Sequence, residues 1–369
     1  MRKILFIVVL FFCSLFVFSM PVAAQENENL AETLEATITK VLEEKEVVVM
    51  EKQQTYQKLE LLITKGSLRD KTIVIENGTM QMANDQQYSV GDAVMVHFEK
   101  DSGGNDLFYI ADYVRRESLR SLFIVFIIIT IVVAKFRGLT SLFGMGLSFV
   151  VIFAYILPSI LAGSPPVRVA IIGSMIIIPI SFFLSHGVNK KTFVAMIGTA
   201  CSLGITGFLA STFVGAAKLT GFASEESSFI QLASQGTLNM KGLLLAGIII
   251  GVLGVLDDIT ISQSAIVFQL KEVNKKMRFK ELYKRAMTVG QDHIASMVNT
   301  LVLVYTGASL PLLLLFVHSP HSFTEIVNQE IIADEIIRTL VGSIGLVLAV
   351  PITTVIAAIV ASVDLEKTV

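Results

Sequence analysis

The sequence predicts an α-helical polytopic membrane bundle, about seven transmembrane helices after a signal peptide, with a small N-terminal extracytoplasmic antiparallel β-barrel of OB-like form. Three observations carry that reading. The 369 residues are 53% hydrophobic with no Trp and have a mean hydropathy of +0.70, too apolar for a soluble domain of this length. Residues 25–118 depart from that composition and alternate in short runs between turn residues. Beyond them, seven segments are each long and apolar enough to cross roughly 30 Å of hydrocarbon. The net charge of −2 excludes little, because charge is segregated by region.

At the start, Arg2 and Lys3 precede an apolar stretch from Ile4 to Phe18, and Val22 and Ala24 fit the small-residue positions of a cleavage site. Residues 1–24 therefore read as a secretory signal, with an uncleaved anchor as the alternative. Cys13 follows Phe12, where a lipoprotein site would want a small residue. That leaves Cys201 in an apolar stretch, expected as a buried structural thiol with no disulfide partner.

Residues 25–118 offer candidate strands at Glu35–Leu42, Glu46–Met50, Tyr56–Ile63, Thr72–Glu76, Ala93–Phe98 and Leu107–Val114. Turns are expected at Lys65-Gly66, Asn77-Gly78, Gly91-Asp92 and Ser102-Gly103-Gly104. Short strands at this density suggest a small antiparallel barrel. Ten Lys and Arg against eighteen Asp and Glu between Gln25 and Ser118 make its surface acidic, which repels phosphate and excludes nucleic acid. The domain either docks an envelope protein or covers a pore mouth, or it is a passive spacer.

The spans are expected near 119–134, 139–161, 167–187, 192–214, 242–264, 293–316 and 338–361, leaving a cytoplasmic tail at 362–369. An exported first domain puts the loops 135–138, 188–191 and 265–292 inside. These hold most of the Lys and Arg of the helical region, including Lys135, Arg137, Lys190, Lys191, Lys275, Lys276 and Arg285. Arg115, Arg116 and Arg120 dissent, lying just outside the first span. Gly247-x-x-x-Gly251 and Gly342-x-x-Gly345 have helix-packing spacing, and Pro158, Pro179, Pro311 and Pro351 each remove a backbone hydrogen bond within or at the end of a span.

Asp257 and Asp258 carry the functional argument, because they sit in an otherwise uncharged run from Gly242 to Leu270. Each ionised Asp at a membrane-helix centre costs about 2.5–3.5 kcal/mol, while each Leu, Ile, Val or Phe returns only about 0.3–0.6. Such acids mark ion, proton or substrate pathways. Thr260, Ser262 and Gln263 extend the polar surface, so this stretch is enclosed by other helices or lines a cavity. The competing reading ends the span near Leu256 and leaves both acids solvated. On the sixth span Asp292, Ser296, Asn299 and Thr300 share one face, and the two polar stripes are expected to meet. Neighbouring carboxylates in a poorly solvated place resist ionising together, which suits proton or cation coupling. Oxygen ligands alone could take a divalent ion, but the His-rich signature of zinc is missing, and His293 reads as an interfacial residue.

The run Gly251-Val-Leu-Gly-Val-Leu-Asp-Asp-Ile-Thr-Ile-Ser-Gln-Ser-Ala265 resembles a hallmark of the YibE/F family of bacterial membrane proteins. Gly290-Gln-Asp-His-Ile-Ala-Ser-Met-Val-Asn-Thr-Leu-Val-Leu-Val-Tyr-Thr-Gly-Ala-Ser-Leu-Pro311 and Val341-Gly-Ser-Ile-Gly-Leu-Val-Leu-Ala-Val-Pro351 extend the likeness, which covers about residues 30–365. It implies a multi-pass protein of the bacterial cell membrane, with the carboxyl end cytoplasmic, and supplies neither substrate nor catalytic residue. The residues themselves favour a permease of a small solute, proton or cation whose binding site comprises Asp257, Asp258, Thr260, Ser262, Gln263, Asp292, Ser296 and Asn299. The alternative is a non-transporting partner in the lipid bilayer whose barrel binds an envelope protein. No cofactor is implied. An intramembrane enzyme lacks a nucleophile–base motif, a Walker loop or a His-Glu-x-x-His sequence. Adjacent acids also diverge by about 100° on a helix, unlike a protease dyad.

Overall fold

A computed structural model describes residues 32–49, 52–79, 86–101 and 103–363. The expected signal segment and the end of the expected tail lie outside them. The chain divides into two compact units, Met1–Ile129 and Thr130–Val369.

The first unit is a five-stranded antiparallel sheet of β1 (Glu32–Val49), β2 (Lys52–Lys65), β3 (Thr72–Asn77), β4 (Ala93–Lys100) and β5 (Asp106–Tyr113). Their order is β3-β2-β1-β4-β5. The two strands expected at Glu35–Leu42 and Glu46–Met50 fuse into β1, because Glu43-Glu44-Lys45 supplies no turn residue between them. The expected closed barrel is corrected to an open sheet. Closure needs edge strands matched in length and stagger, whereas six-residue β3 reaches only Gln57–Leu62 of β2 while the β1–β2 ribbon runs on to Val49 and Lys52.

Alternation buries one face, with Leu34, Ala36 and Ile38 of β1 against Leu59, Leu61, Ile63, Val94 and Val96. Buried Gln57 substitutes for a neighbouring strand. It accepts from the Tyr88 N–H at 2.8 Å and donates to the Tyr88 carbonyl at 3.0 Å. Burial pushes the Tyr88 phenol up to about 12. Gly78 closes its turn at φ +83, where a Cβ would lie 2.3 Å from the Thr55 carbonyl oxygen. The dissenting arginines are taken up in ion pairs. Arg116 makes a two-pronged bridge to Glu35 at 2.8 and 2.6 Å, Arg115 binds Asp112 at 2.5 Å and Arg120 binds Glu117.

The helical elements are α1 (Arg116–Val151), a π turn (Ile152–Ile156), α2 (Leu157–Leu161), α3 (Pro166–His186), α4 (Lys190–Ala216), α5 (Glu225–Ala233) and α6 (Met240–Val273). They continue as α7 (Phe279–Ala308), α8 (Leu310–Val317), α9 (Phe323–Val327) and α10 (Glu330–Val363). Among the described residues five helical runs are long and apolar enough to cross a membrane, or six if α7 and α8, bent by 70°, form one span. The spans expected at 119–134 and 139–161 lie within one of these runs, Arg116–Leu161, as two helical stretches that meet at a break at Lys135 with φ 52 and ψ −132, where the loop 135–138 was expected. A Cβ on Gly138 would meet the Thr130 carbonyl oxygen at 2.4 Å. Those groups stand about 12 Å apart along an unbroken helix, so the chain turns sharply there.

The expected inner loop at 265–292 is also corrected. α6 continues to Val273 and α7 begins at Phe279, because Val267, Leu282 and Ala286 extend an apolar face that packs with Ala357, Ala358 and Ala361 of α10. α4, α6 and α10 pack mutually, with α3 against α6 and α7 against α10. Glycines permit the close approach: a Cβ on Gly345 would lie 2.1 Å from Thr206 Oγ1, and one on Gly198 2.4 Å from Thr353 Oγ1. Gly247, expected to pack tightly, instead faces open space. Cys201 is exposed rather than buried. It lies on the stripe of exposed Ile197, Ile205 and Phe208, away from the inward residues of α4.

Candidate functional site

α6 positions the acids. Asn239 caps it by accepting the Gly242 N–H at 2.8 Å, and seventeen residues of unbroken helix then separate the two paired positions from its start. One helical step turns consecutive side chains about 100° apart, and the consequence here is unequal burial. Asp258 is exposed, while Asp257 is mostly enclosed and its Oδ1 is buried with no hydrogen-bond partner among the described residues. Ser181 of α3 stands beside the Asp257 carboxylate. The neighbours that bear electrostatically on His186 are Lys191, Asp258 and Arg137, so Asp258 belongs to the end of the bundle that carries the α3–α4 turn.

Thr260, one turn beyond Asp257, is fully buried with its Oγ1 2.7 Å from Thr199 Oγ1 of α4. Ser264, a turn further on, donates to the Lys191 carbonyl at 2.8 Å. Asp257, Thr260 and Ser264 thus form one stripe facing α3 and α4. Gln263 points another way. It donates to the Ala286 carbonyl of α7 at 3.0 Å and to Thr354 Oγ1 of α10 at 2.7 Å, and Thr354 in turn donates to the Val350 carbonyl. Ser262 is half-buried. Ser264 lies level with the start of α4, and the seven residues back to Asp257 place that acid about 10 Å deeper along the axis.

The expected meeting with the polar stripe of α7 does not occur. Asp292, Ser296 and Asn299 are exposed, and Ser296 and Thr300 bond back to carbonyls of their own helix at 3.3 and 3.0 Å. α7 turns Leu282, Ala286 and Gly290 inward instead. Asp292 follows Gly290 by two residues, about 200° around the axis, which points it outward. Sequence reasoning also missed the partners the structure supplies: Ser181, the α4 hydroxyls Thr192, Thr199, Ser202 and Thr206, and Thr353 and Thr354, of which the α4 and α10 hydroxyls are fully buried. The sevenfold spacing Thr192, Thr199, Thr206 was the signal available for them.

A cleft of about 480 Å³ opens at the other end of α6, lined by Met240, Leu244, Gly247, Ser309, Asp334 and Arg338 among others. Neither Asp257 nor Asp258 lines it. Gly247 precedes Asp257 by ten residues, or about 15 Å of helix.

The family model described as YibE/F-like protein matches residues 122–363, and that of the YibE/F family N-terminal domain matches residues 29–113. The chain belongs to the YibE/F family. No curated protein and no solved structure matches it.

Proposed function

We propose that this YibE/F protein is a membrane permease for a small solute or ion, with Asp257 as the acid that binds the transported or coupling cation. One observation carries the reading: a carboxylate mostly enclosed by protein within an apolar helix, with Ser181 beside it and its Oδ1 buried without a hydrogen-bond partner among the described residues. In the proposed arrangement the α-helical unit lies in the bacterial cell membrane, the sheet domain is extracytoplasmic and the carboxyl end is cytoplasmic. Asp257 then occupies the inner half of the bilayer, with Thr260 and Thr199 beside it. Asp258, exposed beside it on α6, serves as the approach to it.

The test is flux into liposomes holding the purified chain and a pH- or cation-sensitive dye, under an imposed potential. The wild type should exceed protein-free vesicles, Asp257→Asn should lose at least tenfold, and Asp258→Asn should lose less because that side chain is exposed. Equal flux in the wild type and Asp257→Asn, at equal folded yield, overturns the proposal.

A second reading rests on the fasteners themselves. Thr199–Thr260 and Gln263–Thr354 tie α6 to α4 and α10, as in a non-transporting partner whose sheet domain binds an envelope protein. In that reading, deleting residues 30–115 abolishes function, and substitutions at Asp257 only lower the folded yield.

A further inference from the structure

The cleft at the start of α6 has its own chemistry, separate from Asp257. Its floor is apolar, from Met240, Leu243, Leu244 and Leu312, and one wall carries Asp334, Glu335 and Arg338 of α10. Two carboxylates against one guanidinium leave one negative charge in surplus. Arg338 Nη2 donates to Asp334 Oδ2 at 3.0 Å, and its Nε, buried without a hydrogen-bond partner among the described residues, stands 3.8 Å from Glu335 Oε1, so the one cation of the wall is ion-paired with both acids. Asp334 is 7% exposed, and its Oδ1 has no hydrogen-bond partner among the described residues.

The carboxylate of Glu330, close by on the same helix, is engaged elsewhere. Glu330, one turn earlier, accepts from the Thr220 and Gly221 N–H groups at 2.6 and 2.9 Å. A buried carboxylate oxygen that lacks a donor, set over an apolar floor in a cavity of ligand size, is a site for a donor carried on an apolar body.

We propose that this cleft binds a small organic ammonium ion, its N–H groups donating to Asp334 and its hydrocarbon part resting on Met240, Leu244 and Gly247. Anions are disfavoured by the surplus charge, and a neutral isostere lacks the charge that the wall selects. The full-length protein in detergent or nanodiscs is titrated calorimetrically with 2-phenylethylammonium, phenylacetate and 2-phenylethanol. The ammonium should bind saturably and at least tenfold more tightly than the other two.

Gly247→Leu fills the cleft, since nothing lies within 4 Å of a Cβ there, and should weaken binding tenfold or more at an unchanged melting temperature. Asp334→Asn should do the same, and pairing it with Arg338→Gln keeps the wall free of an unmatched charge if the single variant folds poorly. No saturable binding, tighter binding of phenylacetate or 2-phenylethanol, or undiminished binding in Gly247→Leu overturns the proposal. Equilibrium binding at this end of α6 needs no transport, so its failure leaves the flux test at Asp257 standing, and the reverse.

Discussion

Asp257 and Asp258 are neighbours in sequence with different surroundings, one held between α6 and α3 and the other exposed. The pair was legible as unusual from its apolar context, but which member is enclosed depends on the rotation of α6, fixed by contacts as remote as Ser181 and Thr199. Single atoms matter equally at the glycines. Gly345→Ala should destabilise by about 1–3 kcal/mol in thermal melts, as overpacking does, because the new methyl meets Thr206 Oγ1. Adding Thr206→Ala should restore most of the loss, since it removes that oxygen and Cγ2.

In the sheet, Arg116 beside Glu35 holds its carboxyl below the usual carboxylate range, with Lys65 adding to the effect. A lowered folded value means the contribution is present above the unfolded-state titration, near pH 4.3, and is lost as pH falls through the folded value. Glu35→Gln should therefore flatten the acid limb of the melting-temperature profile followed by circular dichroism. An unchanged profile would remove the ion pair from the account.

At the scale of elements, strands were legible because alternation and turn chemistry are local. β2 to β5 were all anticipated to within a few residues, while sheet closure was not, since it depends on the lengths of strands far apart in sequence. The long apolar helices were legible by length, and so was the interruption at 135–138, where Lys135 and Arg137 break the apolar run. The 70° bend at Ser309, inside the span expected at 293–316, is anticipated only by Pro311. The extension of α6 and α7 into the expected loop follows from packing on α10 that no single segment reveals. Gln263 is the joint among these helices, so Thr354→Val, which keeps volume but removes its acceptor, should cost about 0.6 kcal/mol and at most ~2. Melting of the wild type and the variant in one detergent checks this, and a gain in stability would show that the bond is not a fastener.

For the whole molecule, composition alone separated a strand-rich part from an apolar helical part, and the two family models divide the chain at nearly the same place. Function follows from whether the interior beside Asp257 ever opens to water. Ser181→Cys, in a chain with Cys13 and Cys201 replaced by Ser, puts a thiol beside the acid. It can be challenged in sealed vesicles with a charged, membrane-impermeant thiol reagent from each side. A permease predicts labelling from at least one side in the folded protein. Complete protection from both sides, with full labelling after unfolding, would contradict it and leave Asp257 as part of a sealed helix joint.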